Sequence, residues 1–351
     1  MSKVSDYKKQ QARKVSLIII LLAAVILLCF YSAFLGTTDI KLSGIIARIF
    51  PSFGKSIGAE PTPKTPWIIF TSLRLPRAIA ALIVGAVLGM CGTIMQATTG
   101  NVMASPFTTG ISSAAGLGAA IGILFHPFGS QDTSTIICAF LLAALNAAIV
   151  YGVTAVAELG AGGMILIGVA LNFLFGSANS LIQYVASEDQ LSQIVHWTFG
   201  SLTGITWMQI LVMAVTGLAA FFVFMRLGWS LNIMISGGDE NAKALGVNPT
   251  KTRVIGGLFV TLAAAVTISF VGVIGFVGIV APHISRMLIG SQQRILIPSS
   301  ALIGSVLVLV ADTLGRLVIA PAIIPVGVVL SVVGSPIFIY LILSQKKRRR
   351  S

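Results

Sequence analysis

Charge is what this chain has least of. Only 9% of its 351 residues are charged, where an ordinary globular domain carries roughly a quarter, so a single soluble domain and a disordered polyelectrolyte are both excluded. Ten acidic residues face 23 lysines and arginines, a net charge of +13. That excess forms no basic stripe of the kind that tracks a nucleic-acid backbone. It falls at the chain ends and in short segments between apolar runs, where charge holds loops in the cytoplasm. Cysteine is scarce as well. Cys29, Cys91 and Cys138 all lie inside apolar blocks, which leaves no disulfide framework and no metal-ligand spacing; they read as small core residues. The three histidines, His126, His196 and His283, are too scattered for a zinc site of the H-E-x-x-H type.

The chain also lacks an engine. A phosphate-binding loop needs G-x-x-x-x-G-K-[ST]; Gly54-Lys55-Ser56 supplies the second half, but Ile49 stands where the first glycine belongs. The stretch Gly54 to Gly58 formally matches the nucleophile elbow G-x-S-x-G, yet no strand precedes it. No nucleophile–base set can be assembled, so an integral-membrane enzyme is disfavoured. An ion-coupled secondary transporter should carry several carboxylates near the membrane midplane. Here the acidic residues are assigned to loops or span ends, Asp312 included.

What the chain does have is long apolar blocks. Hydrophobic residues make up 56% of it, the mean hydropathy is +0.98, and 36 glycines suit close-packed membrane helices. Blocks long enough to cross about 30 Å of hydrocarbon are expected at 15–35, 78–97, 107–125, 134–156, 164–186, 207–227, 252–272, 274–290, 295–315 and 324–343. The first has no small-residue cleavage site and reads as an uncleaved helix. The eighth is interrupted by Gly272, Gly275, Gly278 and Pro282. Ten spans place both termini on one side. With that side cytoplasmic, sixteen of the 23 basic residues fall inside, and only Lys41, Arg48, Lys55, Lys64, Arg74, Arg77 and Arg316 fall outside. Gly85 and Gly89, like Gly118 and Gly122, have the four-residue spacing that lets helix backbones approach. The segment from Gly36 to Arg77, with five prolines, is expected to be a loop lying over the bundle.

Three local patterns stand out. Arg74 and Arg77 flank Pro76 at the outer mouth of the second span. Proline suits a helix start, and an arginine fork there either anchors the helix at the interface or receives acidic side chains of a partner. Between the sixth and seventh spans, Asp239 is an expected N-cap, Glu240 a first-turn acid and Gly246 a stop. They predict a cytoplasmic helix of about two turns, which is marginal alone; it serves either as a lever for a cytoplasmic motor or as a capped turn resting on its own bundle. Asp312 and Arg316 are spaced for a helical i,i+4 ion pair that also presents Arg316 to the outer surface.

Taken in order, these stretches resemble the FecCD family of ABC-transporter permeases. The likeness runs from Arg74-Leu75-Pro76-Arg77, Val84-Gly85-Ala86, Gly92 and Gln96, through Asn101 and 104–106, to Leu245-Gly246-Val247. It continues with Gly275-Phe276-Val277-Gly278, Pro282-His283-Ile284-Ser285-Arg286, 298–302, Ala311-Asp312, Arg316, Pro325-Val326-Gly327, Gly334, Pro336 and Phe338. The resemblance implies an all-α polytopic membrane protein of about ten transmembrane helices, a type II ABC importer permease-like bundle. A cytoplasmic N-terminal tail at 1–14 and a basic cytoplasmic tail at 344–351 would flank one transmembrane domain at 15–343. It implies a homodimer in a bacterial cytoplasmic membrane, both termini cytoplasmic, with two ABC ATPase subunits below and an extracytoplasmic solute-binding protein above. No cofactor is implied in the permease itself; ATP and Mg would be bound by the ATPase. By position, Arg74, Arg77 and Arg316 match pockets that receive acidic residues of the binding protein. Gly238, Asp239, Glu240, Ala242, Leu245 and Gly246 match the element that couples to the ATPase. The implied cargo is an iron chelate, a ferric siderophore first, with haem or cobalamin as the alternative. Ile323 and Gly100 stand where many members carry an acidic and a basic residue respectively. His283 reads as a packing residue rather than a haem ligand.

Overall fold

The computed structural model describes residues 2–36, 38, 40–319 and 321–348, with side chains described between 11 and 340. These residues form fourteen α-helices and no strand. Seven helical stretches are long and apolar enough to cross a membrane: 11–34 in α1 (Ser2–Phe34), 64–99 spanning α4 (Lys64–Ile69) and α5 (Leu75–Thr99), α7 (Gln131–Val156), α8 (Ala161–Val185), α10 (Trp207–Ala244), α11 (Pro249–Val271) and α13 (Gln293–Leu317). Three shorter apolar helices occupy the other expected spans: α6 (Ile111–Phe125), α12 (Val277–Ile289) and α14 (Val326–Arg348). The ends of α1 and α13 meet the start of α5 at one end of the bundle, here the far end. The end of α5 meets the start of α11 at the other, the near end.

Helix α5 is the trunk. Twenty of its 25 residues are buried, against four of 25 in α8, which lies at the periphery. Lipid tails are as apolar as leucine, so helices in a membrane are held by backbone approach and dispersion rather than by hydrophobic burial. The contacts of α5 show this. A Cβ at Gly85 would strike the carbonyl of Gly304 in α13, and one at Gly304 would strike that of Gly85. Gly89 lies against Ser300, and Gly92 against Gly278 of α12. The Gly118/Gly122 pair makes the same kind of approach to Cys138 and Thr135 of α7.

The two shortest spans are interrupted elements. Helix α6, about 22 Å long at 1.5 Å per residue, is preceded by a 3-10 turn at Pro106–Thr109. That turn packs against Gly168, seven residues into α8, and so lies about 10 Å inside the bundle from the near end. The expected eighth span at 274–290 is cut. Gly272–Phe276 is non-helical, with Phe276 at φ 65, and α12 begins only at Val277, where Gly278 meets Gly92 of α5. Pro282 is accommodated inside α12.

The segments between and beyond the spans carry more helix than the sequence announced. The N-terminal tail at 1–14 is helical from Ser2 and continuous with the first span, and helix α14 carries on to Arg348, into the expected tail at 344–351. Arg349, Arg350 and Ser351 lie outside the described residues. The segment from Gly36 to Arg77 is no open loop: it folds into α2 (Leu42–Ile49), α3 (Pro51–Ser56) and α4. Pro51 starts a helix instead of breaking one, sitting at the head of α3. Arg48 joins the layer by donating to the Thr62 carbonyl at 2.6 Å and lying over the Trp67 ring at 5.3 Å. Helix α9 (Glu188–Thr198) was not anticipated either, although Ser187 and Gln190 make a capping box around its acidic first turn.

Replacing Gly85 or Gly304 by valine should force α5 and α13 apart and lower the unfolding temperature in detergent, at a cost of about 1–3 kcal/mol or more. Gly152→Ala, where nothing lies within 4 Å of the added carbon, should leave that temperature unchanged.

Candidate functional site

At the far end the structure gathers the three arginines singled out from the sequence. Pro76 has no N–H to donate, and the helix absorbs the defect by widening into a π turn at Phe70–Arg74, where Leu75 N–H reaches back to the Phe70 carbonyl. A helix start at Pro76 was expected; the chain is already helical there. Arg74 donates to the carbonyls of Phe34 at 2.9 Å and Thr38 at 2.8 Å. Arg316 donates to the Leu35 and Ser32 carbonyls, both at 3.0 Å, and to Ser32 Oγ at 2.7 Å. The last carbonyls of a helix have no partner within it; these two side chains close the end of α1 and set positive charge at its negative pole.

Arg77 binds differently. Its Nε donates to Asp312 Oδ1 at 2.7 Å and its terminal nitrogen to Thr203 Oγ1 at 2.9 Å. Asp312 is fully buried, and its other oxygen lies 3.1 Å from Arg316 Nε, an ionic approach without hydrogen-bond alignment. The expected i,i+4 pair therefore exists, with Arg77 as a third member. The arginines do not present free forks, however. Arg74 and Arg77 are 8% and 7% exposed and the Arg316 side chain 12%. An unpaired guanidinium in this apolar setting would cost several kcal/mol, so each turns inward to the nearest acceptors. The lysines that do project from this end are Lys41, Lys55 and Lys64. A cavity of about 660 Å³ adjoins Thr203, the partner of Arg77, and is lined by Asp132, His196 and Gln209 among others.

At the near end, α10 breaks at Gly238, whose φ of 72 and ψ of −177 suit only glycine. A short helix follows at 239–244. Gly246, at φ 79, stops it with the paired bonds Val247 N–H to Ala242 and Gly246 N–H to Lys243. Val247 and Ala242 pack on Met234. Ala242 is thus buried under the helix and does not face out. Glu240, Asn241, Lys243 and Leu245 form the exposed rim, Leu245 being 62% exposed. Asp239 does not cap the helix as expected. Both of its oxygens accept from Arg253, at 2.7 and 2.8 Å, while Arg253 Nε donates to the Thr98 carbonyl at 2.9 Å.

Sequence reading counted Arg253 only as a loop charge; fourteen residues and a backbone break separate it from Asp239, so no helical spacing announces the pair. Nearby, Arg286 donates to Gln96 at 2.8 Å and ties α12 to α5. Between the two ends, a cavity of about 680 Å³ is walled by Ser105, Thr108, Asn172, Phe276, Gly327 and Ser331. The Asn172 amide holds the 3-10 turn through the Phe107 and Thr108 carbonyls. His283 is buried edge-on to Phe338, ring centres 5.8 Å apart, in keeping with a packing role. Among the described residues no cluster of three His, Cys, Asp or Glu could hold a metal ion.

Replacing Asp312 by asparagine leaves Arg77 and Arg316 without their shared counter-charge. Breaking a buried pair from one side costs on the order of 3–5 kcal/mol, so the unfolding temperature in detergent should fall clearly, and the larger loss should be in Asp312→Asn rather than in Lys64→Ala at the exposed rim.

Comparison with known proteins agrees with this architecture. The hemin transport system permease protein HmuU of Yersinia pestis is 37% identical over 289 residues, covering 81% of this chain and 85% of that protein. The iron(3+)-hydroxamate import system permease protein FhuB of Bacillus subtilis is 33% identical over 346 residues, 96% of this chain and 86% of FhuB. A solved structure described as a metal-chelate type ABC transporter in an inward-facing conformation superposes with a TM-score of 0.82 at 27% identity, covering 94% of this chain and 99% of that one. Residues 22–344 match the model of the FecCD transport family, and the chain belongs to that family of ABC-transporter permeases.

Proposed function

We propose that this chain is the permease subunit of an ATP-driven importer of iron chelates, with ferric siderophores as the first candidates and haem as the alternative. The observation that carries the reading is the 239–244 helix. It is stopped at Gly246, clipped to the bundle by Arg253 and Ala242, and leaves Leu245 and a polar rim projecting from the near end. A seat of this kind suits a groove on a separate ATPase subunit. The names of the relatives, hemin transport and iron(3+)-hydroxamate import, support the cargo class.

Lysine and arginine placement supports a cytoplasmic near end, in the cytoplasmic membrane of a bacterium, with two ATPase subunits beneath it. A second copy of the chain would close the 680 Å³ cavity from its open side, putting the substrate path between the two. The far end would receive a solute-binding protein. Its three arginines and one aspartate sum to +2 just below the surface, and Lys41, Lys55 and Lys64 add to that field. Charge behind a surface steers an acidic partner without direct contact. Arg74, Arg77 and Arg316 thus act from beneath the docking face. Transport would proceed by alternating access, two packed arrangements whose balance nucleotide and the docked partner shift. An ion-coupled mechanism finds little support: Asp312, the one acidic side chain described as fully buried, is engaged by two arginines at the far end.

In proteoliposomes holding the chain, the ATPase and the binding protein, a ferric hydroxamate should accumulate only with ATP. Accumulation by the chain alone on an ion gradient would overturn the assignment. Reversing Lys41, Lys55 and Lys64 to glutamate should weaken binding-protein association by about tenfold at low ionic strength, mainly through the on-rate, and the difference should vanish in high salt. Equal affinity at low salt would reject the steering role.

A further inference from the structure

We propose that Arg253 is a positioning residue that joins the 239–244 helix to two membrane helices at once, so that displacement of that helix moves the bundle. The inference rests on the reading of that helix as an ATPase seat and adds to it the route by which load leaves the seat.

The chain ties the short helix to α10 through Gly238 and to α11 through 245–248, and Ala242 and Val247 pack on Met234. Nothing lies within 4 Å of the position a Cβ would take at Gly238, so no neighbouring atom braces that joint. A further connection, through side chains, runs from Asp239. Its carboxylate receives the full fork of Arg253, at 2.7 and 2.8 Å, a planar two-bond geometry that resists both sliding and rotation. Arg253 is the fifth residue of α11 and is 6% exposed, whereas the Asp239 side chain is 40% exposed. The rigid half of the pair is therefore the membrane half.

The third donor of the same guanidinium completes the joint. Nε bonds the Thr98 carbonyl, one of the last carbonyls of α5 and without a partner inside that helix. A pull on Asp239 thus reaches α11 through the Arg253 backbone and α5 through its Nε. Helix α5 touches α13 at Gly85–Gly304 and α12 at Gly92–Gly278, backbone against backbone. Contacts of that closeness pass displacement on instead of absorbing it. From one arginine, the movement of a six-residue helix is distributed to four membrane helices.

The test uses the reconstituted complex of chain, ATPase and binding protein, with a ferric hydroxamate as cargo. In Arg253→Met and in Asp239→Asn, the number of cargo molecules accumulated per ATP hydrolysed should fall about fivefold or more. Arg253→Lys, which keeps the charge but loses the fork, should fall between these and the unaltered chain. The double exchange Asp239→Arg with Arg253→Asp should recover part of the ratio. A residue needed only for folding would lower uptake and hydrolysis in step and leave the ratio unchanged, and an unchanged ratio overturns the proposal. Asp239→Asn keeps Arg253 and its bond to Thr98, so the question stays answerable if Arg253→Met does not fold. On the purified chain without partners, amide exchange at 239–246 should quicken about tenfold in both variants, with α13 unaffected. Unchanged exchange overturns the joint itself, whereas a complex of the unaltered chain that takes up nothing with ATP overturns the importer reading alone.

Discussion

A helix that ends inside a membrane protein leaves its last carbonyls facing a medium with no water to take them. Here arginine meets that need at both ends of the bundle. Arg74 and Arg316 close the end of α1, and Arg253 closes the end of α5. In each case one side chain supplies what a loop or a shell of water would supply in a soluble protein, and supplies it with a positive charge at the negative pole of the helix. Arg316 and Arg253 reach on to Asp312 and Asp239, so closing a helix end also fastens a second element to it. At each end of the bundle the neutralising carboxylate is a single residue.

Between those ends the chain relies on shape. Helix α5 is buried on nearly every side, and Gly85, Gly89 and Gly92 are where its backbone comes closest to α12 and α13. The bundle therefore has a stiff centre, α5 with α12 and α13, and a looser periphery in which α8 exposes most of its surface. The cavity at 105–108, 172, 273–279 and 327–332 lies on the boundary of the two, where the 3-10 turn and the non-helical Gly272–Phe276 segment replace regular helix. Moving parts of a transporter belong at such a boundary, because irregular backbone is tolerated at depth only where protein or a cavity surrounds it.

Much of this was legible in the sequence, for reasons that differ by element. Ten apolar blocks mark ten spans because crossing hydrocarbon demands length and apolarity together. The break at 272–276 was signalled by its glycines, though not its exact extent. Helices α2, α3 and α9 went unread because helices this short carry no long apolar run, and α4 because Pro66 and Pro76 hid that the second span begins at Lys64; only the Ser187–Gln190 capping box betrays α9. Arg74, Arg77 and Arg316 were rightly grouped, but the direction they face was not in the sequence. It depends on where the end of α1 comes to rest. Arg253 was overlooked for a related reason: its partners, Asp239 and Thr98, lie fourteen and 155 residues before it, the nearer one across the Gly246 stop.

The shortness of α12 bears on how the chain enters the membrane. Thirteen residues with a proline among them and an arginine in the last turn fall well short of the roughly twenty apolar residues that partition as an independent span. During synthesis this piece has no free-energy reason to leave the insertion channel alone. Its partners in the finished bundle, α5 and α13, are made respectively long before and just after it. A segment this short depends on α5 and α13 to hold it at depth, so its place in the membrane is set by its neighbours and not by its own apolarity.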